Sequence, residues 1–155
     1  MIQENDVGLT YFRNEWQKAS FSVLYTYGFL INSYESFFKK QDLTNQQYYA
    51  LRILRDKFPK PVSTAFLREK MLDKMSDVSR LVTRLEAKGL VNVTKNSDDK
   101  RLVNILISEQ GQHMVEAIDK DLPQLDAMMK DLTEEEASTL VTLLYKVRES
   151  VKTVK

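Results

Sequence analysis

The spacing of hydrophobic positions changes several times along the chain, and each change marks an element. From about Leu9 to Phe38 the sequence favours helix and holds ten of the fifteen aromatic residues, among them Trp16, Phe21, Tyr25, Phe29, Tyr34 and Phe37. A helix of that length measures about 45 Å, with Gly28 as the expected place for a break. Its apolar residues from Phe21 to Ile31 wrap most of the way round, so it needs neighbours on several sides, in a dimer core or around a pocket. Thr44 and Gln47 form a capping box for a second helix that stops before Pro59. After the rigid Pro59-Lys60-Pro61 connector, Ser63 is placed to cap a short helix through Phe66, Leu67 and Met71.

A tight turn at Asp73 to Met75 leads to a helix capped by Ser76, in which Val78, Leu81, Val82 and Leu85 repeat at i, i+3, i+4, i+7 before a glycine stop at Gly89. The period then shortens to two. Leu90 to Thr94 and Arg101 to Ile107 read as strands, with Val103, Ile105 and Ile107 alternating, and the polar Lys95 to Lys100 stretch joins them as a hairpin. Ser108 caps the next helix, which breaks or bends near Pro123, and Thr133 with Glu136 opens a last helix through Leu140, Leu144 and Val147.

This order predicts a mainly α fold with a small β-hairpin wing, organised as one domain over residues 1–155. A winged helix-turn-helix occupies 43–111, and helical portions at 9–38 and 112–152 flank it. With 4 Gly and 3 Pro, little of the chain is linker. The uncharged stretch between Lys18 and Glu35 is interrupted by Ser20, Ser22, Thr26, Asn32 and Ser33 and falls short of the ~20 apolar residues of a spanning helix. Met1 to Asp6 lacks the basic stretch and apolar core of a secretory signal, so a cytoplasmic location is expected.

Absent residue types narrow the chemistry. Without cysteine there is no disulfide, thiol catalysis or cysteine redox sensing. His113 is the one imidazole, which excludes a zinc site built on several histidines, and no cofactor or metal is expected. An enzyme would also need a nucleophile or phosphate loop that the sequence lacks. Glu134, Glu135 and Glu136 sit at a helix start, where they favour the dipole.

The net charge of +1 hides an uneven distribution. Residues 60–101 hold ten Lys/Arg against six Asp/Glu, whereas residues 108–155 hold six against ten. Opposite the apolar stripe of the 76–88 helix lie Ser76, Arg80, Thr83 and Ala87, flanked by Ser79 and Arg84. A small, polar, positive face of this kind suits a helix in the major groove of DNA, where hydroxyls and guanidinium groups reach base edges. Lys95, Lys100 and Arg101 at the hairpin tip are placed for phosphates or the minor groove. At least one of Asp98 and Asp99 is expected to hold an arginine, since both repel phosphate.

At these residues the sequence resembles the MarR family of bacterial regulators. The resemblance rests on Leu85-Glu86-Ala87-Lys88-Gly89-Leu90-Val91 within the run from Val78, on Asp99-Lys100-Arg101, on Ile107-Ser108 with Gly111, and upstream on Leu43-Thr44 with Gln47. It implies a homodimer whose first and last helices intertwine, Arg101 as the wing arginine and Asp99 as the aspartate that orients the wing. It further implies a sequence-specific, double-stranded-DNA-binding transcription regulator, here read as a dimeric repressor of a pseudo-palindromic operator with a small-molecule effector. Tyr25, Tyr34 and Tyr48 are candidates for an effector pocket, with dimer core as the favoured alternative. Two departures stand out: Asn92, Val93 and Thr94 replace the basic residues often found after Gly-Leu-Val, and Ile107-Ser108 replaces Leu-Thr. The competing function is a winged-helix module that binds protein rather than DNA, which would more often expose aromatics than arginines.

Overall fold

In the computed structural model, described over residues 11–73 and 76–154, the chain forms two compact units, Met1–Asp119 and Lys120–Lys155. The Met1 to Asp6 stretch, the expected helix start at Leu9 and residues 74–75 of the expected turn lie outside the described residues. The whole expected winged portion, 43–111, falls in the first unit. The expected 112–152 portion is shared, residues 112–119 belonging to the first unit and the rest to the second.

The first unit runs α1 (Glu15–Lys39), α2 (Asn45–Lys57), α3 (Thr64–Lys70), α4 (Val78–Ala87), β1 (Val91–Lys95), β2 (Val103–Ile107) and α5 (Glu109–Asp119). Helix α1 begins later than expected because the Asn14 side chain accepts a hydrogen bond from the Gln17 amide at 2.9 Å and fixes the start there. It passes through Gly28 without a break. One interior glycine costs about 1 kcal/mol, too little to interrupt a 25-residue helix. Both expected capping boxes are present, at Thr44 with Gln47 and at Thr133 with Glu136. Ser63 accepts from the Phe66 amide as a cap should.

The core of this unit collects Phe38, Leu51, Leu54, Leu67, Met71, Val78, Leu85, Leu90, Ile105, Ile107 and Ile118, all essentially inaccessible. Strands β1 and β2 pair antiparallel, Val91 opposite Ile107 and Lys95 opposite Val103. The expected strand starts at Leu90 and Arg101 each shift inward. The Leu90 amide is used to close α4, donating to Leu85 O, and Leu102 donates to Asp99 O within the turn. Sequence periodicity missed a third contributor to the sheet: Val62, in the Pro-flanked connector, exchanges both backbone hydrogen bonds with Ile105, at 3.0 and 2.8 Å.

The second unit holds α6 (Pro123–Asp126), a 3-10 turn at Ala127–Met129 and α7 (Glu134–Thr153). The break expected near Pro123 is present, with Pro123 at the first helical turn of α6. No residue of α7 is buried; Val141, Leu143, Val147 and Val151 are all exposed. Among the described residues no helix is long and apolar enough to cross a membrane.

Candidate nucleic-acid interface

Helix α4 follows its binary pattern closely. Val78, Leu81, Val82 and Leu85 are buried, while Ser79, Arg80, Thr83, Arg84 and Ala87 are exposed. Its N-cap is Asp77, not Ser76: the Asp77 carboxylate accepts from the Arg80 amide at 3.1 Å. Ser76 Oγ is instead buried with no hydrogen-bond partner, so this candidate does not share the outer face with the other four. The two residues are comparable cap formers, and the requirement to bury Val78 at the first helical position selects Asp77. Arg80 stays 69% exposed beside Asp77, Nε to Oδ2 3.9 Å. Thr83 donates its hydroxyl hydrogen to Ser79 O at 2.9 Å, which leaves its oxygen lone pairs outward as acceptors.

At its other end α4 closes on the left-handed Gly89, φ +74°. The Gly89 amide donates to Glu86 O and the Leu90 amide to Leu85 O, the two bonds of a Schellman motif. Ser108 then ties this closure to the start of α5. Its hydroxyl donates to Gly89 O at 2.7 Å, its amide donates to Leu90 O, and its oxygen accepts from the Gly111 amide at 3.0 Å. A Cβ on Gly111 would meet Leu90 O at 2.2 Å. The residues Gly89, Leu90, Ser108 and Gly111 are thus the joint that sets the hairpin relative to α4.

In the wing, Asp99 grips Arg101 with two parallel bonds, Nε to Oδ1 and Nη2 to Oδ2, each 3.0 Å, and also accepts from the Arg101 amide. The guanidinium holds the Asp99 carboxyl below the usual carboxylate range, and the same bonds raise Arg101. Arg101 is nonetheless 90% exposed, so it is aimed without being covered. Lys95 and Lys100 are exposed alongside it, and Asp98 is exposed without the arginine. Sequence reasoning overlooked Asn96, which organises the tip: its Oδ1 accepts from the Asp98 and Asp99 amides and its Nδ2 donates to Asn104. An asparagine opening a polar turn is the usual sign of such a side-chain turn. On β1, Asn92 and Thr94 are exposed and Val93 half-buried, so this part of the strand carries no charge, as its sequence indicated.

The tyrosines divide. Tyr48 is buried, stacked on Phe38, and part of a cluster in which Tyr48 Oη, Arg52 and Arg55 all donate to Asp119 at the end of α5. Burial pushes the Tyr48 phenol above its ordinary value of 10.0. Tyr34 stacks on Phe38 and Tyr25 meets Phe29 edge-on. An open cleft of about 830 Å³ lies between α1, the start of α2 and the segment after α3, lined by Tyr27, Ile31, Glu35, Lys39, Leu43 and Met71 among others. None of the three candidate tyrosines lines it; Tyr27, not singled out from sequence, does. His113 is exposed on α5.

Comparison with known proteins places this geometry. The MarR family model matches residues 43–103. The chain is similar to the uncharacterized HTH-type transcriptional regulator YdgJ of Bacillus subtilis, 23% identical over 94 residues; the match takes in 60% of this chain and 57% of that relative's length. Among solved structures, a MarR-like transcription regulator from Bacillus cereus superposes with a TM-score of 0.78 at 20% identity, covering 88% of this chain and 97% of that one. A mutant MarR from E. coli, crystallised with operator DNA, gives 0.77 at 24% identity, covering 89% and 99%. The chain therefore has the fold of a winged helix-turn-helix, similar to those solved structures, and its residues 43–103 match the MarR family model.

Proposed function

We propose that the chain is a sequence-specific transcription regulator, not an enzyme, that binds double-stranded DNA in the cytoplasm as a homodimer and acts as a repressor. The observation that carries this reading is the polar outer face of α4, with Ser79, Arg80, Thr83 and Arg84 exposed, built onto a wing whose Arg101 is oriented by Asp99. A helix so faced fits the major groove, where arginine pairs with guanine edges and hydroxyls serve as small donors and acceptors. Arg101, Lys100 and Lys95 supply phosphate or minor-groove contacts beside it. That the similar E. coli MarR mutant was crystallised with operator DNA supports the DNA-binding reading.

The dimer accounts for two apolar faces that one copy leaves exposed. On α1 these are Trp16, Leu24, Tyr27 and Phe29; on α7 they are Val141, Leu143, Val147 and Val151. Both would be covered by a second copy, and two-fold symmetry then matches a pseudo-palindromic operator with half-sites about 10 bp apart. The cleft beside α1 has the size of a small-molecule site and is the candidate effector pocket, acting by differential affinity for two dimer states. Selection of bound fragments from random duplex DNA tests the function: recovery of a two-fold-symmetric site supports it, and recovery of no preferred sequence contradicts it.

A further inference from the structure

Two side-chain ties connect the stretch around α4 to one corner of the fold. After α4, Lys88 donates its ammonium to the main-chain carbonyl of Asp42 and lies 3.5 Å from the Asp42 carboxylate. Ahead of α4, Asp73 accepts from the Gln46 side chain at 3.1 Å. Asp42 and Gln46 flank the start of α2, at the α1–α2 corner. That corner has its own fixed shape: Asp42 takes a left-handed φ of 55°, and Leu43 donates back to Phe38 O. Lys88 is the C-cap residue of α4, and only a third of its side chain is accessible.

From this arrangement we infer that Lys88 and Gln46 are positioning residues for the DNA-reading helix. They fix the segments at its two ends to the α1–α2 corner without touching DNA. The inference rests on the DNA-binding reading above and deepens it. In charge count Lys88 belongs with the basic residues of the 60–101 segment. Its ammonium is engaged with a backbone carbonyl and a carboxylate of its own chain. The corner also lines the cleft, since Leu43, Thr44, Gln46 and Asp73 all border it. Displacing the Gln46 contact from within that cleft would therefore act directly on the lead-in to α4.

The test uses the full chain and a selected duplex, with Lys88→Met, Gln46→Ala and the conservative Lys88→Arg. Positioning predicts a three- to fivefold loss of affinity for each of the first two, roughly the range of a single exposed ion pair or hydrogen bond. The slope of log affinity against log salt should match the parent, the unfolding midpoint should hold, and Lys88→Arg should recover the parent's affinity. A shallower slope in Lys88→Met would overturn the inference, because it would make Lys88 a phosphate contact. Unchanged affinity in both variants would overturn it as well. If the parent binds no duplex, the DNA reading fails by itself, and amide hydrogen exchange decides the tie. Faster exchange at Ala87 to Gly89 in Lys88→Met, with α5 unchanged, supports it; equal exchange refutes it.

Discussion

At the scale of single residues, the proposed function has Asp99 aim the cation and Arg101 bind phosphate. Replacing Arg101 with Ala should weaken binding to every duplex and make the salt dependence shallower by about one unit, as loss of one phosphate contact requires. Replacing Asp99 with Asn keeps the cation but loosens the two-pronged grip, so affinity should fall with little change in slope. Titrations at several salt concentrations separate the two. The pH behaviour follows from the same pair. Arg101 lowers the Asp99 pKa in the folded chain below its ordinary 3.8. The pair's contribution is therefore complete above that ordinary value and is lost only as pH falls through the still lower folded one. Amide chemical shifts of Asp98 to Arg101 should accordingly stay constant between about pH 5 and 8; a transition inside that window would show that the pair does not hold the wing. Much of this was legible because it is local: an arginine two residues from an aspartate at a hairpin tip leaves few alternatives. The Lys88 tie to Asp42 joins residues 46 apart in sequence, and no local pattern announces it. Ser76 and Asp77 are neighbouring cap formers, and only the burial of Val78 decided between them.

At the scale of elements, the glycines on either side of the wing are architectural. Gly111 lets α5 press against the Leu90 carbonyl, and a methyl group there would sit 2.2 Å from that oxygen. Gly111→Ala should cost about 1–3 kcal/mol, the usual range for overpacking, read as a lower midpoint in urea unfolding. Gly89→Ala should cost about 1 kcal/mol, because alanine must adopt the left-handed conformation that closes α4. A parental midpoint in either variant would mean that the joint is looser than its contacts indicate. The helices were legible because capping boxes and the 3.6-residue period act within a few residues of one another. Strand limits were less so, since the Leu90 amide is committed to the helix cap. The pairing of Val62 with Ile105 depends on where the chain returns in space, and a two-residue period cannot foretell it.

At the scale of the whole molecule, α1 and α7 each leave apolar side chains exposed. A single chain leaves Trp16 83% and Val151 65% exposed, and the homodimer proposed above would cover both. Sedimentation at micromolar concentration should give a species of twice the 18.1 kDa chain mass; a persistent 18.1 kDa species would refute the intertwined dimer. In the proposed complex α4 reads bases. This is tested most directly by titrating the parent and the Arg80→Ala and Thr83→Ala variants against the selected duplex and against the same duplex altered one base pair at a time. Each variant should lose discrimination by about 1–3 kcal/mol at one position per half-site and bind the remaining positions with the parent's preferences. If both variants kept the parent's preference at every position, α4 would not be the reading helix.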